Sequence, residues 1–176
     1  MLIKLEKIEN KNIINFYLPK AILPENRIIL ADNDVFYSED FISAIKEFDG
    51  VLRILLTHDF ISVLFDKKEN LEKSKTLILA EIDDFISENR SLINIENKST
   101  ILNTAEALAD AVIRPSLNRD KGDIIFHSYF DKIISIQFTG KCEGCPYAQN
   151  TLNNLILKNL TKYIPEISQV QLVGAK

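Results

Sequence analysis

The chain is poor in the residues that characterise several classes of protein. Its 176 residues include no Trp, one Met and two Cys. Two Cys cannot cross-link a secreted fold of this size, so a disulfide-rich extracellular protein is excluded. No apolar run approaches the roughly 18 residues that a membrane-spanning helix needs, so we expect no membrane span.

The chain also lacks an excess of positive charge. Its 21 basic and 25 acidic side chains give a formal net charge of −4, which argues against a nucleic-acid partner held by electrostatics. Its first residues, MLIKLEKIEN, have neither the apolar core of a signal peptide nor the Arg- and Ser-rich composition of a transit peptide. Abundant Ile, Asn and Lys, all with A/T-rich codons, indicate a bacterial genome. We therefore expect a location in the bacterial cytoplasm, or in the mitochondrial matrix if the protein is eukaryotic and its presequence has been removed.

The composition is that of an ordinary globular protein, but its charge is unevenly divided. Hydrophobic residues make up 46% and charged residues 26% of the chain, which excludes a disordered protein. Residues 1–97 carry 12 basic and 18 acidic side chains (net −6), and residues 98–176 carry 9 and 7 (net +2). Residues 91–99 show no periodic pattern and are interpreted as a linker. Two domains are therefore predicted, 1–97 and 98–176.

The two halves predict different orders of helices and strands. The first half gives ββαββα, with strands at 13–18, 27–30, 51–56 and 60–65, a helix capped by Ser38 and a second helix capped by Asn70. The second half gives αββαβ, with a first helix capped by Ser99 or Thr100 and interrupted near Pro115. We therefore predict an α+β protein of two small domains, the first with helices over one face of a mainly antiparallel sheet.

The residues best suited to chemistry are Cys142 and Cys145, separated by Glu143 and Gly144. They lie between a predicted strand and a predicted helix with Pro146 at its first position. A helix N-terminus favours thiolate, so we expect both sulfurs to ionise more readily than a free Cys. This spacing alone is compatible with a metal centre, with redox chemistry or with structural cysteines.

The number of available ligands restricts a metal centre. A tetrahedral zinc or an iron–sulfur cluster takes four protein ligands, and the chain offers two Cys plus His58 and His127, whose spacings match no zinc motif. A closed site therefore needs two chains, which suits a two-fold symmetric dimer. A thioredoxin-like oxidoreductase would need a parallel βαβ framework and a proline opposite the cysteines, whereas Pro165 ends the helix that the cysteines precede. A thiol–disulfide oxidoreductase and a zinc-bound adapter stay as alternatives.

Three motifs in the second half resemble NifU-like C-terminal domains. Residues 112–123 (VIRPSLNRDKGD) resemble "RPxxxxDGGD", residues 140–152 (GKCEGCPYAQNTL) resemble "GxCxxCPxxxxTL", and residues 163–166 (YIPE) resemble the start of "YIPEVxxV". The first half is similar to the Nfu N-terminal domain. There, residues 48–51 (FDGV) resemble "xEGVxxV", residues 59–63 (DFISV) resemble "DFITV", and residues 10–12 (NKN) keep part of "TPNPN".

The resemblance implies an Nfu-type iron–sulfur cluster scaffold or carrier rather than an enzyme. Such proteins hold a labile 4Fe–4S cluster between two subunits and pass it to apo-proteins, with other cluster-assembly proteins as partners. By motif position the ligands fall on Cys142 and Cys145.

Several neighbours of these cysteines have expected supporting roles. Lys121 replaces the first Gly of the family's Gly-Gly pair and raises a question about the local backbone. Arg114, Asp120 and Asp123 are expected to fix this turn by charge and hydrogen bonds. Gly144 and Pro146 are expected to shape the loop, and Tyr147 is expected either to shield the cluster or to serve in an interface or core.

Overall fold

The computed structural model describes residues 2–9, 11–32 and 37–174. It divides into two compact units, Met1–Ser99 and Thr100–Lys176. Asn10, part of the N-terminal motif of the sequence analysis, lies outside the described residues. Within the described ranges, no helix combines the length and the apolar character that a bilayer crossing requires.

The first unit is a five-stranded sheet with two helices. Its order is β1-β2-β5-β4-β3, and every neighbouring pair is antiparallel. The elements are β1 (Lys4–Ile8), β2 (Ile13–Tyr17), β3 (Ile29–Ala31), α1 (Asp40–Lys46), β4 (Val51–Leu56), β5 (Phe60–Phe65) and α2 (Lys68–Ser87).

The core of this unit forms where the helices meet the sheet. Both helices contribute buried side chains at helical spacing, and the central strands contribute β-branched and aromatic ones. Phe41 of α1 stacks on Phe85 of α2 with ring centroids 4.1 Å apart. This stacked pair fixes the two helices to one another above the sheet.

Three details of the first unit differ from the sequence prediction. β1 was not predicted, because it is an edge strand whose first four side chains are exposed and therefore carry no clear alternation. The N-cap of α1 is Glu39 rather than Ser38. α2 begins at Lys68, so Asn70 lies inside it and donates to Asp66 Oδ1 at 2.7 Å.

Residues 91–99 are an ordered part of the first unit and not the linker that their sequence suggested. Leu92 and Ile95 are buried in its core. The Arg27 guanidinium donates to the carbonyls of Ile93 and Ile95 at 3.1 and 2.7 Å. The backbone N–H of Lys98 donates to the Tyr37 hydroxyl at 2.9 Å. The burial of Leu92 and Ile95 and these hydrogen bonds hold the segment without regular secondary structure.

The second unit is a three-stranded sheet with two long helical segments. The sheet order is β6-β7-β8, with β6 and β7 antiparallel and β7 and β8 parallel. The elements are α3 (Ile101–Leu108), a π-helical turn (Ala109–Ile113), α4 (Arg114–Arg119), β6 (Gly122–Phe130), β7 (Ile133–Gly140), α5 (Ala148–Thr151), a second π-helical turn (Leu152–Leu157), α6 (Lys158–Tyr163) and β8 (Gln169–Leu172). Helices and separate sheets in both units confirm the predicted α+β class.

The first helical segment begins and continues for identifiable reasons. The Thr100 side chain accepts from the Asn103 N–H at 3.1 Å, as an N-cap does. Pro115 removes one helical donor, and the chain compensates with the wide turn just before it, where the Arg114 N–H donates to Ala109 O. The helix therefore runs on through Pro115 to Arg119 and delivers the chain to the start of β6.

Candidate functional site

Cys142 and Cys145 lie on a short loop that joins β7 to α5. Both are free thiols and both are partly buried. The Cys145 N–H donates to Cys142 O at 3.4 Å, and the Ala148 N–H donates to Cys145 O at 3.0 Å. Gly144 has φ +69° and open space around its Cβ position, so the turn itself requires a left-handed residue there. These consecutive turns present both sulfurs on one loop.

The helix after this loop begins later than its sequence indicates. Tyr147 is the N-cap residue of α5, so Pro146 precedes the helix and does not occupy its first position. Tyr147 is 70% exposed, which excludes the core role among those considered for it. Its ring is therefore free to lie in an interface or beside a bound group.

The expectation that the helix makes Cys142 a readily ionised thiol is wrong. Burial raises the pKa of Cys142, and the neighbouring negative charges of Cys145, Asp120 and Asp123 raise it further. The dipole effect is confined to the first turn of a helix, and α5 starts six residues after Cys142. Burial and acidic neighbours therefore determine the protonation of this sulfur in the apo-protein.

Arg114 organises the start of β6. It is a buried residue whose guanidinium lies 2.9 Å from Asp123 Oδ1, 2.7 Å from Glu106 Oε2 and 3.0 Å from Asp110 Oδ1. It also donates to the carbonyl of Ile124 at 2.9 Å. Burial opposes its charge, but the three carboxylates together raise the pKa of Arg114. The ion pairs thus fix the position of β6 relative to the preceding helix.

Sequence reasoning identified Arg114 and Asp123 but missed Glu106 and Asp110. Their signal was present, because Glu106, Asp110 and Arg114 recur at intervals of four and so share one helical face. The backbone N–H of Asp120 donates to Leu117 O at 3.0 Å. The negative charge of the Asp120 carboxylate contributes to the raised pKa of Cys142.

The histidines do not join the cysteines as ligands. His127 is exposed on β6, with Nε2 3.1 Å from Gln137 Oε1. His58 belongs to the first unit, with Nε2 3.5 Å from Asp59 Oδ2. Among the residues that the structure describes, no group of three or more His, Cys, Asp and Glu side chains could hold a metal ion. Among the described residues of one chain, the two thiols therefore have no further His, Cys, Asp or Glu beside them with which they could enclose a metal ion.

An open groove of about 400 Å³ runs beside Cys142. Phe138 of β7 and Ala148 of α5 form part of its wall, and Leu172 and Val173 form another part. The groove gives one side of the loop a mainly apolar surrounding.

Comparison with known families bears on this second unit. The family model described as "NifU-like domain" matches residues 106–171. This part of the chain is therefore similar to NifU-like domains. The matched residues include both cysteines and all the residues that form the Arg114 cluster.

Relatives matched over longer stretches extend the similarity beyond residues 106–171. The chain is 28% identical over 185 residues to the human protein named "NFU1 iron-sulfur cluster scaffold homolog, mitochondrial", covering 98% of this chain and 72% of that protein. It is 30% identical over 137 residues to the Drosophila ananassae protein of the same name, covering 71% of this chain and 47% of that protein. The chain thus spans about half the length of the Drosophila relative. The predicted resemblance to Nfu-type iron–sulfur cluster scaffolds is confirmed.

One solved structure is also similar. The crystal structure of protein SAV1430 from Staphylococcus aureus matches with a TM-score of 0.39 and 26% identity. The match covers 47% of this chain and 99% of the other.

Proposed function

We propose that this protein is an iron–sulfur cluster scaffold and carrier, not an enzyme, and that two copies hold one 4Fe–4S cluster through Cys142 and Cys145 of each. The observation that carries the proposal is the pair of free, partly exposed thiols on one loop. The described residues offer no larger group of metal ligands. The similarity to proteins named as iron–sulfur cluster scaffolds supports the same function.

The donor set fits such a cluster only when it is shared. Iron–sulfur clusters are held by Cys thiolates, usually four, and each chain provides two. Two copies related by a two-fold axis would place four sulfurs around one cluster. Bridging by the cluster would therefore stabilise the dimer, and loss of the cluster would favour separate chains.

The same arrangement makes the cluster easy to transfer. Each chain would hold the cluster by one short loop, and Lys141 at its start and Pro146 and Tyr147 at its end are exposed. Separation of the two copies removes half of the ligands at once. Thiolates of an apo-protein can then replace Cys142 and Cys145 one at a time, so the cluster moves without passing through free iron and sulfide. We propose apo iron–sulfur proteins and other assembly proteins as partners, in the bacterial cytoplasm or, for a eukaryotic chain, the mitochondrial matrix.

The two alternatives predict different chemistry at the same sulfurs. A thiol–disulfide oxidoreductase needs an attacking cysteine with a lowered pKa, and burial and acidic neighbours, which raise the pKa of Cys142, make Cys142 unsuited to that part. A zinc-bound adapter would need the same four thiols from two chains, but with zinc in place of iron and sulfide. Metal and sulfide content therefore distinguish the three functions.

The test is purification without oxygen, followed by visible absorption and by analysis of iron, sulfide and zinc. The variants are Cys142→Ser and Cys145→Ser, and the matched control is Glu143→Gln, which alters the same loop and keeps both thiols. We expect a broad visible band with iron and sulfide in the wild type and the control, and no stable cluster in either Ser variant. The apo fold should be nearly unchanged, because small loop substitutions cost little. Zinc without sulfide, a metal-free dithiol, or full cluster occupancy in a Ser variant would contradict the proposal.

A further inference from the structure

The sulfur of Cys142 occupies the space beside the α-carbon of Gly122. A Cβ built on Gly122 would lie 2.1 Å from Cys142 Sγ, 3.1 Å from its Cβ and 3.4 Å from its backbone nitrogen. The first distance is far shorter than any non-bonded contact between carbon and sulfur. Any side chain at position 122 would therefore overlap the position that the Cys142 sulfur occupies.

Backbone hydrogen bonds on two sides fix this close approach. Gly122 is the first residue of β6 and pairs with Gly140, the last residue of β7. The N–H of Lys141, the residue after Gly140, donates at 3.1 Å to the carbonyl of Lys121, the residue before Gly122. These bonds hold the α-carbon of Gly122 against the start of the cysteine loop.

We propose that Gly122 is a positioning residue for the cluster, whose bare α-carbon sets the direction of the Cys142 sulfur. The inference rests on the proposed function and adds to it the residue that orients one of the two ligands. In a dimer, two of the four thiols would be oriented in this way. Gly122 itself would touch neither iron nor sulfide.

Replacing Gly122 with Ala would change the position of the Cys142 side chain. Rotation of the Cys142 side chain could move Sγ away from a new Cβ, since the sulfur is the end of a short side chain. The 3.1 Å approach of the Cys142 Cβ would persist after this rotation, and it is tighter than ordinary contacts between carbon atoms. The loop would therefore shift as well, and the sulfur would point in a direction unsuited to the shared cluster.

The first test uses the full-length apo-protein. It compares the wild type with Gly122→Ala, Cys142→Ala and the double variant, and it uses Gly174→Ala as control because a Cβ on Gly174 meets nothing within 4 Å. We expect Gly122→Ala to lower the urea midpoint more in the presence of the Cys142 sulfur than in the Cys142→Ala background, where only the contact with the Cβ of position 142 remains. If Gly122→Ala fails to fold, the double variant should fold. An equal loss of urea midpoint in the two backgrounds, or failure of both variants to fold, would contradict the inference that Gly122 positions the Cys142 sulfur.

The second test measures thiol reactivity by alkylation with iodoacetamide and peptide mapping. In Gly122→Ala the displaced Cys142 sulfur should react several-fold faster than in the wild type, while the rate at Cys145 stays unchanged. Gly174→Ala should match the wild type at both positions. Unchanged alkylation of Cys142, or an equal rise at both cysteines, would overturn the proposal, because the second outcome indicates general loosening of the loop.

The third test measures cluster retention after anaerobic reconstitution. We expect Gly122→Ala to lose its visible band to a chelator about tenfold faster than the wild type, whereas Gly174→Ala loses it at the wild-type rate. Equal retention in Gly122→Ala would overturn the positioning role. A wild-type protein that binds no cluster would instead contradict the proposed function. The two tests on the apo-protein would still decide whether Gly122 positions the Cys142 sulfur.

Discussion

Replacing Lys121 with Gly should stabilise the second unit slightly. Lys121 has φ +58°, and it follows the C-cap residue Asp120 of α4. Its N–H donates to Asn118 O at 3.0 Å, as expected of the left-handed residue that ends many helices, a position at which Gly is favoured. A residue with a Cβ is strained there by roughly 1–1.5 kcal/mol.

The expected gain is smaller than this strain. Gly has more freedom in the unfolded chain, which costs about 0.5–1 kcal/mol. The Lys121 side chain is exposed, so its removal should change the free energy of unfolding little. The net effect of Lys121→Gly is therefore a stabilisation of about zero to 1 kcal/mol. Lys121→Ala is the matched control, because it removes the long side chain and keeps both the Cβ and the strain.

Native-state hydrogen exchange of the β6 and β7 amides suits this measurement, because it reports on the second unit separately from the first. A gain of 1 kcal/mol would slow exchange about fivefold. Lys121→Gly should exchange at the wild-type rate or up to five times more slowly, and Lys121→Ala should resemble the wild type. Clearly faster exchange in Lys121→Gly alone would refute the strain argument.

Three further predictions follow from other contacts. Arg114→Gln should destabilise the protein by about 2–3 kcal/mol, because it leaves carboxylates near the core without their counter-charge, and an unchanged urea midpoint would contradict this. The Lys7 and Lys75 ammonium groups lower the pKa of Glu72 to about 2, so its contribution is complete above about pH 4.5 and is lost as the pH falls towards 2. Glu72→Gln should therefore flatten the acid side of the stability profile, and an unchanged slope between pH 4.5 and 2 would contradict the assignment. A fragment of residues 98–176 should fold and bind the cluster, because both cysteines and their strand–loop–helix frame lie within it. A folded fragment that cannot be reconstituted would show that the first unit contributes to the site.

The parts of the site that depend on neighbouring residues in the chain could be predicted from the sequence. Cys142 and Cys145 were identifiable because their spacing, the preceding strand and the following helix are all local signals. Thr100 was identifiable as a cap for the same reason. β1 was missed because an exposed edge strand buries too few side chains to show alternation.

The parts of the site that depend on tertiary contacts could not be predicted. The Cys142 sulfur lies in the space beside the α-carbon of Gly122, twenty residues earlier in the sequence. The residues around either position give no sign of that contact. The raised pKa of Cys142 arises from burial and from the charges of Cys145, Asp120 and Asp123, the last two at the turn that leads into β6. The sequence suggested only the effect of the helix that follows the cysteines. Residues 91–99 lack periodicity yet are fixed by side chains of a distant segment, among them Arg27 and Tyr37.

Native mass spectrometry of anaerobically reconstituted protein tests the shared cluster most directly. Each chain has a mass of 20.1 kDa. If Cys142 and Cys145 of two copies hold one cluster, the spectrum should show a dimer carrying four iron and four sulfide, alongside a metal-free monomer. Cys142→Ser should show no cluster-bound dimer. A single chain carrying a complete 4Fe–4S cluster, or a dimer carrying two, would contradict the shared site.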